Sequence, residues 1–120
     1  MLTVFSVVNN FLTPHIEGLI KLCECHKLSQ LWVFGSVLTE LFTEDSDIDF
    51  LYEFEQGLTP DEELDHLLGF IESATEILNR RIDLVWVGGL RNPYFKEEVD
   101  QSKQLIYVKE SEEVGALFFP

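Results

Sequence analysis

A chain of 120 residues with 46% hydrophobic content and ten phenylalanines has material for one packed core and too much apolar surface to stay disordered. Its 22 acids against 8 bases leave a net charge of −14, which repels nucleic-acid backbones and excludes general nucleic-acid binding, while favouring divalent cations and basic protein surfaces. No apolar run reaches the length that spans a bilayer, and the N-terminus lacks the basic stretch of a signal peptide, so the expectation is one cytoplasmic domain over residues 1–120.

Residues 1–12 are apolar and read equally as a short strand or a helical lead-in. Thr13-Pro14 predicts a helix start, with Thr13 as N-cap and Pro14 at the first helical position. Ile16, Leu19, Ile20 and Cys23 then share one face, and His26-Lys27 suits the helix end. Cys23 and Cys25 are two apart on that helix and diverge, which argues for free thiols and against a disulfide or a zinc cluster with His26. The run Leu31, Trp32, Val33, Phe34 predicts a strand buried on both faces, ended by Gly35-Ser36 and one or two helical turns.

A polar turn over 43–46 leads into a second strand from Asp47 to Phe54. Period 2 puts Asp47 and Asp49 on one face and Ile48, Phe50, Tyr52 and Phe54 on the other. Thr59-Pro60-Asp61-Glu62 reads as a capping box, and Leu64, Leu67, Leu68, Ile71 and Leu78 give a helical period to about Asn79. Residues 81–87 predict a third strand, with Ile82, Leu84 and Trp86 on one face and Arg81, Asp83, Val85 and Val87 on the other. Asn92-Pro93 should start a short helix towards Ser102, and residues 105–108 form a last strand. Trp32 and Trp86 are expected in the core, Tyr94 and Tyr107 in ordinary packing, and His15 and His66 on helix surfaces.

Two carboxylates side by side on a strand repel each other unless a cation or a proton lies between them. If the strands of Asp47, Asp49 and Asp83 are neighbours, the three acids gather beside the Gly35-Ser36 turn. Such an all-oxygen site suits Mg²⁺ or Mn²⁺, and a glycine turn admits phosphate close to backbone N–H groups. Taken singly, an Asp-x-Asp in so acidic a chain is no more than a solvated pair.

Together, Phe34-Gly35-Ser36, ten intervening residues, Ser46-Asp47-Ile48-Asp49-Phe50-Leu51 and Arg81-Ile82-Asp83-Leu84-Val85 resemble the minimal nucleotidyltransferases of the polymerase-beta superfamily. That resemblance runs from the helix at 14 to Tyr107. It implies an α/β (α+β) fold, a small mixed sheet flanked by helices, with ATP as donor and two Mg²⁺ or Mn²⁺ ions. It also implies that Asp47, Asp49 and Asp83 are the catalytic and metal-binding residues and that Gly35 and Ser36 bind the nucleotide's phosphates. Some relatives are antitoxins that add AMP to a tyrosine of a helical HEPN-type toxin, so the implied reaction moves a nucleoside monophosphate to a hydroxyl of a protein partner.

One departure from the family pattern stands out. Relatives commonly carry Arg or Lys shortly after Gly-Ser, whereas residues 37–45 here contain no base. Arg80, Arg81 or Lys103 would have to reach in instead. The alternative reading is a weak or inactive binding module that neutralises a partner by complex formation. The sequence leaves a homo-oligomer open and gives no role to the apolar pair Phe118-Phe119 beyond covering a core edge or meeting a partner.

Overall fold

The computed structural model describes residues 11–109, so the expectations for residues 1–10 and for Phe118-Phe119 lie outside the described residues. Among these residues four strands, β1 (Leu28–Phe34), β2 (Ile48–Phe54), β3 (Ile82–Trp86) and β4 (Gln104–Val108), form one sheet in the order β3-β2-β1-β4. β1 pairs antiparallel with β2 and β4, while β2 and β3 run parallel. The sheet is therefore mixed. Among the described residues, three helices, α1 (Ile16–Cys25), α2 (Pro60–Leu78) and α3 (Pro93–Ser102), join this sheet in an α+β fold.

The alternation along β1 and β2 divides the packing between the two faces. Leu31 and Val33 of β1 and Ile48, Phe50, Tyr52 and Phe54 of β2 join α1 and α2 in the main core. Phe34 and Leu51 point the other way and pack on Val99 of α3, with Trp32 and Val85 beside them. β1 is thus covered on both faces, as its continuous apolar run requires.

Local chemistry sets the helix ends. Thr59 and Glu62 form a reciprocal capping box at the start of α2, whose C-cap, Asn79, is left-handed at φ 53°. Asn92 caps α3 by accepting from the N–H groups of Tyr94 and Phe95. Thr13-Pro14 behaves otherwise: it lies in a 3-10 turn, Thr13–His15, and His15 occupies the N-cap position of α1.

Several burial expectations change with the tertiary arrangement. The face of α2 that meets the sheet carries Phe70, Ala74 and Leu78, whereas Leu64 and Leu68 are more than half exposed. Trp86 is half exposed, since it ends an outer strand, and its Nε1 donates to Glu53 Oε1 at 3.0 Å. Tyr94 stands 84% exposed on the first turn of α3, not in packing. His66 is half-buried opposite His26, with the two Nδ1 atoms 3.5 Å apart. Cys23 is buried, Cys25 is exposed, and both are free thiols.

Candidate active site

Asp49 and Asp83 are register partners in the parallel β2–β3 pair. Aligned neighbours in a sheet present their side chains on the same face, and here it is the face that α3 partly covers. On its other side Asp49 pairs with Phe34, the last residue of β1. The chain turns there. Gly35 has φ 84°, and a Cβ at that position would run into the Asp49 carboxylate, so glycine alone satisfies both the turn and the space. Gly35–Leu38 then forms a single 3-10 turn, shorter than a true helix.

A cavity of about 670 Å³ brings Gly35, Ser36, Asp49 and Asp83 together with Phe95 and Gln104. Its size and mixed lining fall in the range of small-ligand sites. Four of the five residues singled out from the sequence share this space.

Asp47 does not. It precedes β2, is absent from the cavity lining, and pairs with Arg81, Nε to Oδ1 at 3.1 Å. As the side chains stand, no three His, Cys, Asp or Glu among the described residues form a metal-holding group.

The acids nevertheless act on one another. Burial, then the charge of Asp83, then that of Asp47 push the Asp49 carboxyl up to about 6. A divalent cation beside Asp49 would offset these repulsions, and a purely oxygen donor set suits a hard ion such as Mg²⁺ or Mn²⁺. The residues present fit such an ion.

None of the three candidate bases enters the cavity. Arg80 donates through Nη1 to the carbonyls of Thr43 at 2.8 Å and Ser46 at 2.9 Å. Its guanidinium also lies over the rings of Phe11 and Phe42, 5.0 and 4.5 Å from their centroids. It holds the loop ahead of Asp47. Lys103 pairs with Asp100 at 3.0 Å and sits over Trp32. Arg81 is engaged by Asp47, so the described residues lining the cavity carry no basic side chain.

Sequence reasoning missed the α3 wall of the cavity. Asn92-Pro93 announces that helix, but no local signal says which sheet face it covers or that Phe95 and Ser102 border the acids. Arg80 gave no signal of its clamp either, because its acceptors are backbone carbonyls 34 and 37 residues away.

Parallel acids beside a glycine turn, on a mixed sheet backed by two helices, define a small nucleotidyltransferase domain. The family model described as "Nucleotidyltransferase domain" matches residues 17–110, and the chain belongs to that family. Its enzyme class is that of the nucleotidyltransferases. It is 37% identical over 106 residues to a Methanocaldococcus jannaschii protein called "Putative protein adenylyltransferase MJ0128", covering 86% of this chain and 96% of that one. Among solved structures, one described as a "putative minimal nucleotidyltransferase" shares 33% identity at a TM-score of 0.62, covering 77% of this chain and 89% of the other. Two toxin–antitoxin structures share the fold at lower identity. One, determined with AMP-PNP, has 19% identity and a TM-score of 0.58, covering 86% of this chain and 82% of its own. The other is a tri-AMPylated Shewanella oneidensis HEPN toxin in complex with its MNT antitoxin, at 18% identity and a TM-score of 0.53, covering 88% and 77%.

Proposed function

We propose that this chain, acting as a single domain, transfers AMP from ATP to a hydroxyl group on a partner protein, with a helical HEPN-type protein as the acceptor. The observation that carries the reading is the alignment of Asp49 and Asp83 on adjacent parallel strands, in one cavity with the Gly35-Ser36 turn. The named relatives agree with protein adenylylation.

In this reading the backbone at Gly35 and the Ser36 hydroxyl hold the β- and γ-phosphates, while Asp49 and Asp83 face the α-phosphate. Asp83 takes the proton of the acceptor hydroxyl as its oxygen bonds to the α-phosphorus; the bond to the β-phosphate oxygen breaks, and pyrophosphate leaves. Divalent ions held by Asp49 and Asp83, with Asp47 joining when it leaves Arg81, would neutralise phosphate charge and align the attack. Arg80 fixes the loop that delivers Asp47 to this position.

A second reading has its own observation. The described cavity lining carries no basic side chain and Asp47 is paired with Arg81, an arrangement that favours a weak or inactive module neutralising its partner by binding alone. Labelled ATP separates the two. With a co-expressed HEPN-type partner, the enzyme reading expects label from the α-phosphate, and none from the γ-phosphate, to become covalently attached to that partner. Complex formation without incorporated label would support the binder.

A further inference from the structure

We propose that Phe95, a half-exposed residue in the lining of the acid cavity, is the platform on which the base of the donor nucleotide stacks. The inference rests on the nucleotidyltransferase reading and adds to it the group that recognises the nucleoside end.

The cavity lining is chemically mixed. Gly35, Ser36, Asp49 and Asp83 supply groups suited to phosphates and cations, Phe34, Val85, Phe95 and Val99 are apolar, and Glu98 adds a further carboxylate from α3. A triphosphate against the glycine turn must project its sugar and base into the rest of the same space. Two aromatic rings occur among the described lining residues, and they differ in what they offer. Phe34 is buried, at 6% exposure, and serves the packing beneath α3. Phe95 is 45% exposed, and its ring meets Phe34 edge to face, with centroids 6.3 Å apart and planes at 69°.

That contact fixes the Phe95 ring from one side and leaves surface open. Its backbone is fixed as well, because the Phe95 N–H donates to the Asn92 cap at 3.2 Å. A half-exposed aromatic ring that shares its cavity with the Gly35-Ser36 turn suits a flat heterocycle. Gln104 supplies an independent pointer to a ligand. It lines the same cavity, and its side-chain oxygen is buried without a hydrogen-bond partner among the described residues. Burial penalises such a group until a donor reaches it, and the exocyclic amine of adenine is one.

The test compares the intact chain with Phe95→Ala and Phe95→Trp, measuring the dissociation constants of Mg²⁺-ATP and of Mg²⁺-tripolyphosphate by calorimetry. Tripolyphosphate has the charged end without the base. Loss of one stacking contact should weaken ATP binding by about five- to a hundredfold. Tripolyphosphate should bind Phe95→Ala as it binds wild type, and Phe95→Trp should restore ATP. Equal weakening of both ligands would mean that the substitution disturbs the whole site and would overturn the stacking. Unchanged ATP binding with impaired AMP transfer would also overturn it and assign Phe95 to the acceptor side. Wild type that takes up neither ligand would overturn the nucleotidyltransferase reading, and this inference with it.

Discussion

Gly35 and Asp49 occupy each other's space: a side chain at 35 would overlap the Asp49 carboxylate, and the backbone at 35 takes a positive φ of 84°. Asp49 and the Gly35-Ser36 turn are therefore one structural unit. Gly35→Ala should destabilise the fold by about 1–2 kcal/mol from the backbone alone, with the displaced Asp49 adding to that. AMP transfer should fall below detection. Urea unfolding and label incorporation measure the two effects, and wild-type activity in the variant would show that the close approach is dispensable.

The raised Asp49 carboxyl links the site to pH. With a native value of about 6 against an ordinary 3.8, the folded state binds more protons than the unfolded state between those values. The Asp49 contribution therefore makes the metal-free protein more stable as pH falls from about 7 towards 4. Asp49→Asn should flatten that part of the profile in thermal melts without metal. Saturating Mn²⁺ should flatten it in wild type, because the cation takes the place of the proton. A wild-type profile that Asp49→Asn leaves unchanged would remove Asp49 as the source.

Arg81 competes with a metal for Asp47, through an exposed ion pair of the kind worth about 0–1 kcal/mol. Arg81→Gln removes the competitor. Mn²⁺ affinity should rise by up to about fivefold, the equivalent of that pairing energy, as read by electron paramagnetic resonance of free Mn²⁺. Weaker Mn²⁺ binding would instead mean that Arg81 orients Asp47 for the ion.

Arg80 holds the loop before Asp47 through two backbone carbonyls and two aromatic rings. Arg80→Ala should cost about 1.5–3 kcal/mol for the charge-assisted hydrogen bonds. Arg80→Lys should recover little, since an ammonium cannot reproduce the planar fork. Urea denaturation of the three proteins decides between a clamp and an incidental contact.

Much of this arrangement is legible in the sequence where the signal is local. The Thr59–Glu62 box and the Asn92 cap depend on residues within one turn, and both form as their spacing dictates. Alternation placed Asp49 opposite Phe50, and the Gly35 turn ended the apolar run of β1. The buried stripe of α2 was less legible, because two overlapping apolar stripes satisfy the same 3.6-residue period. Leu64 and Leu68 belong to the outer stripe, while Phe70, Ala74 and Leu78 meet the sheet. The capture of Asp47 by Arg81 was beyond reach, since it depends on the parallel pairing of two strands with a 19-residue helix between them. Thr13 shows the limit of a cap motif: the sequence fits, but the first turn is 3-10 and moves the α1 cap to His15.

The central claim is that the paired acids carry out nucleotidyl transfer, and Asp83→Asn tests it most directly. Asparagine keeps the shape and one ligand oxygen of Asp83 but removes the charge that would accept the hydroxyl proton. The measurement is incorporation of α-labelled AMP into a co-expressed partner, for wild type and variant side by side, with nucleotide and partner binding measured on the same samples. The account predicts transfer by wild type and a loss of about a hundredfold or more in the variant, with both binding activities largely kept. Equal transfer by the two proteins would take Asp83 out of the mechanism, and partner binding without transfer by either would contradict the enzyme reading.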